Sequence, residues 1–117
     1  MTATQFLRAK QYAAAEEFAR KYLDLQKELS PDAPPMFDAQ CLLGECLAAQ
    51  GSDEAVSLLT AGVEGLDRQS TLPPALEARR QSAGKALITL LEAQGKEEPA
   101  ESLRTRLATS RPTTKPR

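Results

Sequence analysis

The sequence contains no histidine and no tryptophan, and only three of its 117 residues are valine or isoleucine. Without histidine the chain has no imidazole base, no Ser-His-Asp triad and no histidine ligand for a metal. The scarcity of valine and isoleucine argues against a β-sheet, because these residues are enriched in strands. The chain does have 19 alanines and 17 leucines, which favour helices. The composition therefore predicts one all-α domain.

Signals for export and for a membrane are also missing. No apolar run approaches the ~18 residues of a spanning helix, and the N-terminus lacks the pattern of a secretory signal. Cys41 and Cys46 lie on different sides of a predicted helix, and their spacing is not the CxxC of zinc or redox sites. We therefore expect two free thiols, buried or half-buried, in a reducing cytoplasmic environment, with no membrane association.

Apolar residues recur at helical spacing along most of the chain. The stripes predict helices over 12–29, 35–50, 74–94 and 97–108, a further helix carrying the stripe from Ala55 to Leu66, and a stub over 2–9. Gly51 and Gly95 follow two stripes, where glycine can end a helix in the left-handed conformation. Prolines precede two others, where the first helical turn tolerates them. Connections this short imply antiparallel neighbouring helices.

Two segments end alike. Leu43-Gly44-x-x-Leu47-x-x-x-Gly51 and Leu87-x-x-x-Leu91-x-x-x-Gly95 place their final glycines 44 residues apart, and each is followed by a charged turn and a helix opening near an alanine. This pattern resembles the tetratricopeptide repeat in its long ~42-residue variant. It is similar to the repeats of kinesin light chains and to the C-terminal repeats of bacterial eukaryotic-like Ser/Thr kinases. The resemblance implies an α-solenoid, a right-handed superhelix of antiparallel hairpins.

The predicted organisation is a repeat domain over 1–109, with about two and a half hairpins, and a disordered basic tail over 110–117. The resemblance implies a non-catalytic protein-interaction module at the C-terminal end of a longer array. The alternative is a purely structural cap or spacer of a larger bacterial signalling protein such as a Ser/Thr kinase. No kinase motif is present and the carboxylate pairs lie in turns or on outward faces, so we expect no catalysis, cofactor or metal.

The resemblance also implies a concave groove for a protein or peptide partner. By the phase of the motif, the groove would be lined by Asp38, Cys41, Glu45, Ser82, Lys85 and Thr89. Only Lys85 is basic and the chain has no asparagine, which argues against a clamp for C-terminal carboxylates; ordinary solvated surface remains the alternative. Nucleic acid is not an expected partner, because the net charge is -1 and no aromatic residue interleaves the C-terminal basic residues.

Aromatic and leucine side chains near the N-terminus lack predicted partners. Phe6, Leu7, Tyr12 and Phe18 would form an apolar end of the solenoid, and such surface tends to find a partner. A second copy related by a two-fold axis is the simplest one, so the sequence predicts a weak homodimer through residues 1–20. The alternative is that residues 2–9 fold back and cap this end.

Overall fold

A computed structural model describes residues 12–109, and every regular element over that range is an α-helix. The helices are α1 (Tyr12–Leu29), α2 (Pro34–Ala49), α3 (Glu54–Asp67), α4 (Pro74–Ala93) and α5 (Glu97–Ala108). The all-α prediction is confirmed. The predicted stub over 2–9, with Phe6 and Leu7, and the predicted tail over 110–117 lie outside the described residues.

The glycine-terminated helices end as the sequence predicts. Gly51 and Gly95 both have a φ of 74°, a conformation that is costly for residues with a Cβ. In each turn the amide of the residue after the glycine donates to a carbonyl five residues earlier, that of Leu47 or that of Leu91, at 2.9 Å. These bonds satisfy carbonyls that a helix end leaves without intrahelical partners. The ends of α2 and α4 therefore share one capping geometry.

Small residues bring α2 and α3 close together. A Cβ on Gly62 would lie 2.5 Å from the Sγ atom of Cys41, and a Cβ on Gly65 would lie 2.1 Å from the ring of Phe37. The later glycine of α3, Gly65, meets the earlier residue of α2, Phe37. The two helices are therefore antiparallel. Because only glycine fits at both positions, the sequence determines how closely this hairpin packs.

Each helix packs on the next one in the chain, and α2 also packs directly on α4. The α2–α4 contacts join Asp38 to Arg79 and Glu45 to Ser82, so these two helices run in the same direction. Asp67 near the end of α3 likewise contacts Arg106 near the end of α5. In the hairpins α2–α3 and α4–α5, the corresponding helices therefore run in the same direction.

The core lies between the helices and is mostly leucine and alanine. The predicted stripes of α2 and α5 are buried: Ala39, Leu42, Leu43, Cys46, Leu47, Ala100, Leu103 and Leu107. Two details differ from prediction. In α3, Leu59 and Leu66 are fully buried, whereas Leu58, which lies in the same predicted stripe, is only half-buried. In α1, Phe18 and Leu29 are 64% and 65% exposed, because α2 covers the side of α1 that carries Ala19 and Leu23.

Candidate functional site

Four polar residues of α2 and α4 form a cluster, which we call the α2/α4 face: Asp38, Glu45, Arg79 and Ser82. Arg79 Nε donates to Asp38 Oδ1 at 2.9 Å, and its Nη1 donates to Glu45 Oε2 at 2.6 Å. The hydroxyl of Ser82 donates to the other carboxylate oxygen of Glu45. From α1, the hydroxyl of Tyr22 donates to Asp38 at 3.0 Å. One guanidinium therefore joins two carboxylates of the neighbouring helix.

Local sequence spacing explains the cluster. Asp38 and Glu45 are seven residues apart, two helical turns, so both point to the same side of α2. Their side chains are only 17% and 10% exposed, and that of Arg79 is 25% exposed. Although burial opposes its charge, the carboxylates of Glu45 and Asp38 hold the pKa of Arg79 above its usual value. These ion pairs are partly shielded from water and keep the side chains in place.

Tyr22 of α1 lies beside the α2/α4 face and contacts it at Asp38. Burial raises the pKa of the Tyr22 hydroxyl to about 12, and the negative charge of Asp38 and the hydrogen bond to that carboxylate act in the same direction. The phenol therefore stays protonated over a wide pH range and remains a donor to Asp38.

The structure separates the six residues that the sequence predicts to line a groove. Asp38, Glu45 and Ser82 meet on the α2/α4 face. Cys41 is fully buried, so its prediction as a groove residue is wrong. The physical reason is its direction, since Cys41 packs against α3, where glycine leaves room for the sulfur. Burial raises the pKa of the Cys41 thiol well above its ordinary value.

Lys85 and Thr89 are exposed on α4 and line a second feature, an open cleft between α4 and α5. The cleft has a volume of about 480 Å³ and is lined by Gln81, Lys85, Ile88, Thr89, Glu92, Arg104, Leu107 and Ala108. Arg104 crosses from α5 to Glu92 of α4, and Gln81 donates to the carbonyl of Leu107 at 2.9 Å. The cleft is therefore polar at its walls, with Ile88 and Leu107 supplying apolar surface.

Arg80, like Arg79, is a residue of this region that the sequence pattern does not predict. Its side chain is 1% exposed, and its Nε lies 2.5 Å from Asp67 Oδ1. Its Nη1 donates to both oxygens of Glu77 at 3.1 Å, and its Nη2 donates to the carbonyl of Arg106 at 2.8 Å. Arg80 thus connects α3, α4 and α5. Its spacing of three and seven residues from the buried Ala83 and Leu87 is the sequence signal that could have found it.

Of the predicted self-association surface, Tyr12 and Phe18 lie on α1, whereas Phe6 and Leu7 lie outside the described residues. Tyr12 is half-buried and Phe18 is exposed. Phe18 shares its side of α1 with Leu25 and Leu29, and we call these three residues the outer stripe. Leu25 is 50% exposed and was not predicted to be part of this surface.

Within residues 12–109, no three potential ligands among Cys, Asp and Glu are grouped so as to hold a metal ion. None of the described helices is both long enough and apolar enough to cross a membrane. Both cysteines are free and buried in α2, as their spacing predicts.

Comparisons with protein-family models, with curated proteins and with solved structures found no match.

Proposed function

We propose that this chain is a non-catalytic protein-interaction module of tetratricopeptide-like hairpins, acting within a longer array, which binds a peptide or partner helix along α2 and α4. The observation that carries this proposal is the α2/α4 face. There Arg79 holds the carboxylates of Asp38 and Glu45 in one arrangement across two parallel helices. A surface that is ordered before binding loses less conformational entropy when a partner docks.

The helix arrangement supports the solenoid part of the proposal. A solenoid repeats one hairpin with a small displacement, so that equivalent helices lie side by side and run in the same direction. Here α2 lies beside α4, and the two hairpins end their first helices with the same glycine cap. Each hairpin also has a fully buried alanine near the start of its second helix, Ala55 four residues after Gly51 and Ala100 five residues after Gly95.

The chemistry of the surface indicates a partner of mixed charge. Asp38 and Glu45 keep lone pairs for backbone amides or a basic side chain, because the carboxylates accept more hydrogen bonds than Tyr22, Arg79 and Ser82 supply. One turn beyond Ser82, the exposed ammonium of Lys85 can pair with an acidic group. The adjacent cleft adds Ile88 and Leu107 for an apolar side chain. A short peptide or one helix face carries such a combination.

A structural spacer of a larger bacterial signalling protein is the second candidate. The observation that favours it is the same ion-pair cluster, because Arg79 already neutralises part of the negative charge that a ligand would meet. Of the hot-spot residue types Trp, Tyr and Arg, this region offers the half-buried Tyr22 and Arg79, and Arg79 is already paired with Asp38 and Glu45. In either case, free thiols at Cys41 and Cys46 fit a reducing compartment such as the cytoplasm.

Binding can be tested with a displayed library of random 12-residue peptides selected against the full chain. Enriched peptides are then titrated by calorimetry against two charge reversals, Lys85→Glu beside the α2/α4 face and Lys96→Glu in the turn between α4 and α5. Both lysines are exposed, so the two changes are matched in charge and in expected effect on folding.

We expect Lys85→Glu to weaken binding at least ~10-fold, about 1.4 kcal/mol, and Lys96→Glu to change it by less than ~2-fold. If no peptide is enriched, or if both reversals weaken binding equally, the interaction function is refuted. The spacer function would then account for the fold.

A further inference from the structure

The outer stripe is an apolar surface that α1 exposes to solvent. Phe18, Leu25 and Leu29 are 64%, 50% and 65% exposed, and they are the exposed large hydrophobic side chains among residues 12–109. They are separated by seven and four residues, so at ~100° per residue they lie within about 40° of one another on α1. The side of α1 that faces α2 is a different one, marked by the buried Ala19 and Leu23.

We infer that α1 pairs with α1 of a second copy, in antiparallel orientation across a two-fold axis, and that this pairing buries the outer stripe. In such a pair Phe18 of each copy lies opposite Leu29 of the other, and the two Leu25 side chains meet near the axis. The spacing of seven and four residues is the one by which helices form a shared apolar seam. This inference concerns α1 and does not rest on the peptide-binding proposal.

Charge complementarity beside the stripe identifies the second copy as the occupant. Lys21 and Glu28 are both exposed, are seven residues apart, and flank the outer stripe on its solvent side. In the antiparallel pair, Lys21 of each copy lies next to Glu28 of the other, so the interface gains two opposite-charge contacts. In the monomer Lys21 contacts only Glu17 of its own helix among the described residues, at 3.3 Å, with both side chains more than 70% exposed.

The orientation follows from the same surface. In an antiparallel pair related by a two-fold axis, the same side of each helix borders the same side of the interface. The side of α1 that carries Lys21 and Glu28 therefore lies next to that side of the second copy. A parallel pair would instead bring that side against the side of α1 that α2 already covers. Antiparallel contact is also how α1 packs on α2, because Glu16 near the start of α1 accepts a hydrogen bond from Gln50 just beyond the end of α2.

The size of the stripe predicts a weak dimer. Three partly exposed large side chains per copy amount to roughly 300 Å² of apolar surface, so two copies remove on the order of 600 Å² before the rim is counted. Interfaces below ~1,200 Å² in total belong to weak and transient complexes. We therefore expect a dissociation constant of roughly 10–100 μM.

Sedimentation equilibrium of the full chain from ~5 to ~500 μM tests the inference directly. The wild type is expected to change from monomer to dimer over this range. Leu25→Glu is expected to remain monomeric, whereas Ser57→Glu, which adds the same charge on the exposed side of α3, should dimerise as the wild type does. Circular dichroism and thermal unfolding of the monomers confirm that each variant is folded.

A charge exchange tests the antiparallel register. Lys21→Glu and Glu28→Lys should each weaken self-association at least ~5-fold, since each places like charges together twice. An equimolar mixture of the two variants should form a heterodimer as strong as the wild-type dimer, because both contacts become opposite in charge again. Dimers of Lys21→Glu that are as strong as those of the wild type would overturn the register.

A wild type that stays monomeric at ~500 μM overturns the inference outright. In that case a lower unfolding temperature of Leu25→Glu than of Ser57→Glu would assign the stripe to an intramolecular cover by residues 1–11. Equal unfolding temperatures would leave the stripe as solvated surface, which also contradicts the inference.

Discussion

Arg80 joins three helices, and replacing it with methionine removes this junction while keeping most of the side-chain volume. The guanidinium donates five hydrogen bonds, to Asp67, to both oxygens of Glu77, and to the carbonyls of Arg106 and Thr109. The carboxylates of Asp67 and Glu77 are only 10% and 12% exposed, so water replaces the lost cation poorly. Removing one partner from a buried ionic group costs ~3–5 kcal/mol.

The free energy of unfolding is obtained from urea denaturation followed by circular dichroism. For a chain of this size the urea dependence is ~1–3 kcal/mol per M, so Arg80→Met should lower the midpoint by at least ~1 M. Arg20→Met is the matched control, because Arg20 pairs with Glu16 on the surface, and its midpoint should stay close to that of the wild type. Equal midpoints for Arg80→Met and the wild type would refute the idea that the buried pairs stabilise this fold.

Three further predictions follow from the described contacts. The pKa of Tyr22 is about 12 in the folded chain and 10.0 in the unfolded chain. The contribution of Tyr22 to stability is therefore complete below pH 10 and is lost as the pH rises towards 12. Between pH 9 and pH 12, the urea midpoint of Tyr22→Phe should fall less than that of the wild type. Gly62→Ala should cost ~1–3 kcal/mol or more in urea denaturation, because its Cβ would meet the Cys41 sulfur and the Phe37 carbonyl, at 2.5 and 2.9 Å; an unchanged midpoint would contradict this packing. Cys41 and Cys46 should react with a thiol reagent only after denaturation, because burial raises both thiol pKa values; rapid labelling of the folded chain would contradict their burial.

Helix positions could be predicted well from the sequence. Helix α1 has the predicted bounds 12–29, and α5 has the predicted bounds 97–108. Helix α2 runs from Pro34 to Ala49 instead of 35–50, and α4 ends one residue before the predicted 94. The agreement has a local cause, because helical periodicity, proline at the first turn and glycine after the last turn all act within a few residues.

Side-chain directions at the candidate sites were harder to predict, because they depend on which neighbour covers each side of a helix. α1 has apolar residues on two sides, and the sequence cannot tell that α2 covers Ala19 and leaves Phe18 exposed. For Cys41, the phase of the motif that the sequence resembles predicts a groove position, but Gly62 leaves room for the sulfur to pack against α3. No local pattern marks Arg79, because its partners Glu45 and Asp38 lie 34 and 41 residues away in the sequence.

The central proposal is that a peptide binds along α2 and α4. The most direct measurement is a set of amide ¹⁵N–¹H correlation spectra of the full chain, recorded during titration with a library-selected peptide. We expect the shift changes to concentrate at the residues of the proposed binding surface and to be small at Ser57 and Glu64 on the exposed side of α3; the surface residues are Asp38, Glu45, Ser82, Lys85 and Thr89. Shift changes confined to α3, or no changes at millimolar peptide, would contradict it.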